Sequence, residues 1–251
     1  MKRFIRNIYL TLKTIENIHT FIFDYFGFLK KDVIYKIRNK NITFVARAGT
    51  SDKDQIVAIM SGFEYPLRIL PKLKTPIILD LGAYIGDSTI YINNYFRGKC
   101  RILAVEPSLE NYKYCRLNLE RNKIKATLLN LAVGDKSGKT YLRVLGLNKD
   151  AYRVANKGRQ TEVITLSKLA EKLPGKKIDI LKMDIEGGEY RIFNHKESYA
   201  FIKNNVRFIF LEYHYDLGKS YVRDLLSKLE KDFFIMYHRD NLISLENKLL
   251  K

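Results

Sequence analysis

Five short apolar runs in this chain each end in residues that can bind a polar ligand or carry a proton. Residues 77–81 contain Asp80 and run into Gly82 and Gly86; residues 102–105 stop at Glu106; residues 127–129 lead to Asn130. Residues 178–183 are followed by Asp184 and Glu186, and residues 206–211 by Glu212 and His214. Carboxylates accept hydrogen bonds from hydroxyls, stabilise a nearby cation, ligate Mg²⁺ and act as general bases, and a histidine titrates near neutrality. The glycines let a backbone approach a ligand closely.

These residues act together only if the elements that carry them bring them to one place. Each run is a short, continuous apolar segment of the kind that forms a strand buried on both faces, and helical spacing follows four of them. Alternating strand and helix predicts a parallel α/β sheet wound by right-handed crossovers. Ligands of such sheets lie beyond the carboxyl ends of the strands, where these residues stand. The loop after the first run, Asp80-Leu-Gly82-Ala-Tyr-Ile-Gly86, has two glycines four apart, not the three of a dinucleotide fingerprint. Glu106 follows Gly82 by 24 residues, a position suited to accepting hydrogen bonds from ribose hydroxyls.

The remaining elements are read more coarsely. Residues 2–23 show helical apolar spacing with bases on the other side, predicting one amphipathic helix packed on its own domain. Residues 32–38 and 41–46 predict a hairpin, and Thr50 or Ser51 a cap for the helix after it. Ser108 predicts a second cap, residues 127–131 a third sheet strand, and residues 139–144 and 162–166 a hairpin-like pair. The polar stretch 148–159 between that pair reads as a mobile loop. The chain divides into an N-terminal helix-and-hairpin extension, 1–74, serving substrate or oligomer contacts, and a sheet domain, 75–251.

At 251 residues and 46% hydrophobic content the chain can bury a full core, and no run approaches the length that spans a bilayer. Two cysteines without framework spacing, and polar residues that interrupt the N-terminal apolar stretch, predict a reduced, cytoplasmic setting. The net charge of +18 favours anionic partners. It brings nucleic acid into consideration, as well as an anionic acceptor and a peripheral membrane contact through residues 1–23.

The strand ends resemble the FkbM-type S-adenosylmethionine-dependent methyltransferases. The matching stretches are Ile78-Leu-Asp-Leu-Gly-Ala-Tyr-Ile-Gly-Asp-Ser88, Val105-Glu-Pro-Ser108, Asn130-Leu-Ala-Val-Gly-Asp135, Leu181-Lys-Met-Asp-Ile-Glu-Gly-Gly-Glu189 and Leu211-Glu-Tyr-His214, with Arg47–Asp52 and Glu64-Tyr65 as a lead-in. The resemblance implies a Rossmann-like, seven-stranded class I sheet carrying S-adenosyl-L-methionine. It implies a cofactor loop of Asp80, Gly82, Ala83, Tyr84, Gly86, Asp87 and Ser88, the ribose on Glu106, the adenine near Asn130 and Ala132, and Asp184 as a further cofactor contact. Tyr84 or Tyr65 would add a cation–π contact to the sulfonium. O-methylation of a sugar, glycan or small metabolite is the implied reaction, with RNA or a lipid-linked glycan as alternative acceptors.

A hydroxyl nucleophile needs a base, and Asp184, Glu186 and His214 are the catalytic candidates. His214 matches neutrality best; Asp184 is placed first because its strand position faces the methyl group in this architecture. Mg²⁺ on Asp184, Glu186 and Glu212 is the weaker alternative to helix-end or Arg191 contacts, and no metal is expected. His19, His195 and His238 read as structural or surface residues. A homodimer is compatible with the sequence.

Overall fold

The computed structural model describes residues 2–145, 151–155, 157–214 and 218–250. In chain order the N-terminal elements are α1 (Lys2–Thr14), α2 (Ile18–Tyr25), β1 (Val33–Lys36), β2 (Thr43–Ala46) and α3 (Asp52–Met60). The sheet region starts with β3 (Ile77–Leu81), α4 (Asp87–Tyr95), β4 (Arg101–Val105), α5 (Leu109–Arg121) and β5 (Thr127–Leu129). Next come β6 (Ala132–Gly134), β7 (Gly138–Leu145), β8 (Ala151–Ala155), β9 (Arg159–Thr165) and α6 (Leu166–Ala170). The last elements are β10 (Ile178–Met183), α7 (Glu189–Asn194), α8 (Lys196–Asn205), β11 (Val206–Glu212), α9 (Lys219–Asp232), β12 (Phe233–Arg239) and β13 (Leu242–Asn247).

Seven strands form the main sheet in the order β12-β13-β11-β10-β3-β4-β5. β5, β4, β3, β10 and β11 are mutually parallel, while β13 runs antiparallel to β11 and to β12. The order reverses beside β3, so its loop and that of β10 open a crevice at the switch point. This is the α/β sheet expected from the alternating pattern.

Period-2 alternation divides the strand residues between two cores. Ile78, Ile102, Ala104, Ile180, Phe208 and Phe210 face one core with the N-terminal elements. Leu79, Leu103, Leu181, Ile209 and Leu211 face the other, with α6 to α9. Two charged residues of the central strands β3 and β10 share the first face. Asp80 and Lys182 are cross-strand partners, and both are buried.

Four local expectations change. The single helix over 2–23 is broken between α1 and α2, because Ile15 is buried and bridges to Ile37. There the Asn17 side chain takes the place of a strand residue, accepting from the Lys36 N–H (2.8 Å) and donating to the Ile34 carbonyl (2.8 Å). Ser51 stands at the start of α3 without a side-chain cap; instead Thr50 Oγ1 accepts from the Asp52 N–H. The third strand stops at Leu129, and β6, β7, β8 and β9 form a separate four-stranded sheet. Within the expected mobile loop, Ala151–Ala155 is a strand paired antiparallel with β7. Its strand alternation, Tyr152 and Val154 against Arg153, is short and flanked by polar residues. Asn148–Asp150 and Asn156 lie outside the described residues. The β1–β2 hairpin and the Ser108 cap are present, Ser108 Oγ accepting from the Asn111 N–H at 3.3 Å.

Gly82 is where the β3 and β10 loops meet. Its φ is +78°, and a Cβ there would lie 1.8 Å from the Asp184 carbonyl oxygen. Gly82→Ala should cost about 2–4 kcal/mol through strained backbone and overpacking, read as a lower urea midpoint at unchanged slope.

Candidate active site

The crevice holds a cavity of about 290 Å³ walled by Gly82, Tyr84, Asp87, Glu106, Ala132, Asp184 and Glu186, among others. Lys182 crosses its floor. The ammonium donates to the Leu81 carbonyl (3.3 Å) and the Gly82 carbonyl, and lies 3.6 Å from Asp80 Oδ1 and 3.8 Å from Asp184 Oδ2. Burial opposes its charge, yet Asp80, Asp184, Asp87 and Glu212 together hold its pKa above the ordinary lysine value. One buried cation therefore fixes the ends of both central strands.

Asp80 itself is fully buried and is not part of the cavity wall. Its Oδ2 accepts from Ser88 Oγ (2.7 Å) and Thr89 Oγ1 (2.6 Å), anchoring the first turn of α4. Ala83 and Ser88 are likewise fully buried. Gly86 enters α4 with φ +91°, where a Cβ would press on Cys115 Sγ at 3.2 Å. Asn130 donates to the Glu106 (2.8 Å) and Pro107 (3.0 Å) carbonyls. These five of the predicted cofactor residues shape the loops around the cavity but do not form its wall.

Glu106 does reach the wall. It accepts from the N–H groups of Tyr84 (2.9 Å) and Ser108 (2.9 Å). Burial still pushes its carboxyl up to about 7, although those donors pull it down. Tyr84 has a left-handed backbone, φ +47°, and its ring is clamped from the N-terminal extension. Its hydroxyl bonds Asp52 and accepts from Arg47 Nη2 at 3.1 Å, while the guanidinium lies 5.5 Å from its ring centroid. Arg47 also grips Asp52 through two hydrogen bonds of 3.0 and 2.8 Å. Tyr65, the other candidate for a sulfonium contact, is buried against Phe210 with Lys182 5.9 Å from its ring centroid, off the cavity wall.

At the β10 end, Asp184 is partly exposed to the cavity, and burial raises its pKa despite Lys182 and His214 nearby. Glu186 holds a positive φ of 55° and Gly187 one of 92°, a strained turn of the sort that aims side chains at a site. His214 stands behind this turn. Its Nε2 lies 3.8 Å from Asp184 and 3.5 Å from Glu186, and its Nδ1 3.4 Å from the buried Glu189. Burial pulls its pKa down, but Glu189, Asp184 and Glu186 outweigh that and push it to about 10. At neutral pH the ring is an imidazolium with no free lone pair. That charge state makes His214 a poorer base candidate than Asp184, the one placed first, and sets it as a counter-charge beside three acids. Among the described residues, Asp184, Glu189 and His214 form a group with metal-ligand spacing, a different set from Asp184, Glu186 and Glu212, the weaker alternative read from the sequence.

His195 accepts from the Ser198 N–H at the start of α8, and His238 pairs with the Tyr213 hydroxyl at 2.8 Å; both serve the fold.

Comparison with known proteins settles the class. The family described as the methyltransferase FkbM domain matches residues 80–235, more than half of the chain. The chain belongs to the FkbM methyltransferase family. The domain is thus a class I, S-adenosylmethionine-dependent methyltransferase domain, as its strand ends had suggested. A methyltransferase FkbM from Methylobacillus flagellatus KT superposes with a TM-score of 0.50 at 19% identity, covering 74% of this chain and 47% of that one. This chain therefore spans about half the length of that structure. A 16S rRNA N2 methyltransferase of T. thermophilus, in complex with AdoMet and guanosine, has a TM-score of 0.47 at 16% identity, covering 87% and 50%. No curated protein sequence matches the chain.

The FkbM crevice has the chemistry for this cofactor. Asp87 Oδ2 and Asn111 Oδ1 are buried atoms without a hydrogen-bond partner, and both residues stand on the cavity wall. They are acceptors left open where a ligand rich in hydroxyl and ammonium donors would satisfy them. Burial also holds Asp87 and Glu212 up at about 7, and Glu64, on the wall, at about 8. A cationic ligand would lower all of these values. Asn111, Glu64, Lys182 and the Arg47–Asp52 clamp were not among the predicted site residues. Glu64 and the clamp carried a signal inside the lead-in stretch, and Lys182 one inside the Leu181–Glu189 stretch; Asn111 carried none.

Titration with S-adenosylmethionine near pH 7 should release protons, and affinity should fall as pH drops below about 7, where the wall carboxyls protonate. Calorimetry in buffers of different ionisation enthalpy reads that release directly. Lys182→Met should cost about 3–5 kcal/mol by stranding Asp80, measured as a lost denaturant midpoint.

Proposed function

We propose that this enzyme transfers a methyl group from S-adenosylmethionine to a hydroxyl of a sugar, glycan or small metabolite, with Asp184 as the general base. The observation that carries the reading is the Asp184 carboxylate, open to the cavity at the end of β10 and flanked on the wall by Glu186 and Glu64. Carboxylates grouped in this way accept hydrogen bonds from neighbouring hydroxyls and repel phosphate. That supports a neutral polyhydroxyl acceptor over an anionic one or RNA.

The cofactor supplies an electrophilic methyl group on its sulfonium. The chain contributes position and charge. Glu106 and the Tyr84 turn would hold the ribose, and Asp87 and Asn111 would take its remaining polar groups. Burial raises the Asp184 pKa from its ordinary value, which makes it a better proton acceptor than an exposed aspartate. Lys182 and the protonated His214 keep it ionised and oriented. The proton of the acceptor hydroxyl passes to its carboxylate. Because the displacement is in-line, most of the rate comes from holding the reactants in register.

Asp184→Asn should reduce turnover by roughly 10²–10⁴-fold while changing cofactor affinity little. Turnover is measured with methyl-labelled cofactor against a panel of sugars and glycans, and an unchanged rate removes Asp184 as the base. Glu106→Ala should weaken cofactor binding by about 1–3 kcal/mol, read by titration.

A further inference from the structure

The N-terminal extension carries a surface that the site does not use. Phe23, Tyr25, Phe26 and Phe28 are 50%, 60%, 66% and 72% exposed. Their rings form one connected patch, with centroids of 6.2 Å for Phe23–Phe28, 5.5 Å for Tyr25–Phe26 and 6.3 Å for Phe26–Phe28. Such a run of exposed aromatics is not surface scatter, since soluble monomers seldom leave contiguous large apolar groups in water.

The patch is held rigidly from behind. Asp24, between Phe23 and Tyr25, is buried. It accepts from the Tyr35 hydroxyl (2.5 Å) and the Gly49 N–H (2.6 Å) and lies 3.4 Å from the Lys53 ammonium. With Asp24 held and Phe21 packed inward on Tyr35, α2 presents Phe23 and Tyr25 outward, and Phe26 and Phe28 follow beside them. Gly49 stands two residues before Ser51, which lines the cavity, so the same hydrogen bond ties the patch to the cavity rim.

The surrounding charge identifies what covers it. Exposed Lys30 and Lys31 follow the patch immediately, and the acid beside them, Asp32, is engaged by the Tyr114 hydroxyl at 2.7 Å. Lysine is depleted at protein–protein interfaces, and two copies of a chain with a net charge of +18 repel each other. Aromatic rings bordered by lysines instead match the chemistry of an anionic bilayer surface, with the rings at headgroup depth and the ammonium groups on lipid phosphates.

The geometry points to a peripheral membrane-binding site formed by Phe23, Tyr25, Phe26 and Phe28 with Lys30 and Lys31, which seats the enzyme on an anionic lipid surface. This assignment goes beyond the methyl-transfer reading and does not depend on it. Among the described residues no helix is long and apolar enough to cross a membrane, so the contact is interfacial.

Vesicle flotation of the full chain tests this, using phosphatidylcholine vesicles with and without phosphatidylglycerol. The wild type should float with the anionic vesicles and be released by high salt. Phe26→Ser/Phe28→Ser, which leaves charge unchanged, should lose binding by about tenfold or more, and Lys30→Glu/Lys31→Glu should lose it comparably. Thermal melts by circular dichroism establish that both variants are folded, independently of any cofactor or acceptor. Undiminished flotation of the aromatic variant would overturn the proposal by showing adsorption through charge alone. So would absence of wild-type binding, or a dimer in light scattering that the aromatic substitutions dissolve, which would give the patch to a second copy.

Discussion

The crevice depends on one buried ammonium. Lys182 sits among the inward side chains of a central strand, where an unpaired charge would be prohibitively costly. It is tolerated because Asp80 faces it across the β3–β10 ladder and the Leu81 and Gly82 carbonyls, at the end of β3, accept its hydrogen bonds. The consequence is geometric. The loop after β3 and the turn after β10 are pinned to one another, with Gly82 allowing the Asp184 backbone to approach where any side chain would collide. Every residue offered to a ligand, from Glu106 on one side to Glu186 on the other, is placed relative to that clasp.

The same clasp sets the electrostatics. Asp80 and Lys182 offset each other, leaving Glu64, Asp87, Glu106, Asp184 and Glu212 with too few counter-charges, so burial raises each of them. A chain carrying +18 overall thus encloses an acidic pocket. On the proposed readings, the surface charge and the pocket charge would suit different partners. The outer positive field suits an anionic surface, and the inner carboxylates suit a sulfonium and a hydroxyl-bearing acceptor. Reading partner chemistry from net charge alone would have confused the two.

Much of this was legible because strand ends are local features. Glu106, Asp184 and Gly82 each directly follow an apolar run, and the parallel-sheet rule then brings them to one edge. The supporting residues were not legible for the opposite reason. Lys182 lies inside an apolar strand and acquires meaning only from its register with Asp80, about a hundred residues earlier. Asn111 lies on the first turn of a helix and reads as an ordinary polar residue until the β4 loop folds over it. His214 illustrates the limit from the other side: its residue type suggested a base near neutrality, but three carboxylates converging on it hold the proton in place. Likewise Asp80, conspicuous in the loop, proved to be an anchor for α4 and a partner for Lys182.

The acidic lining of the crevice suits S-adenosylmethionine and not another nucleotide cofactor. Calorimetric titration of the intact protein with S-adenosylmethionine, and in parallel with NADH, tests it most directly. One saturable micromolar site is expected for the first and no heat of binding for the second. Binding of NADH, or of neither compound, would contradict it.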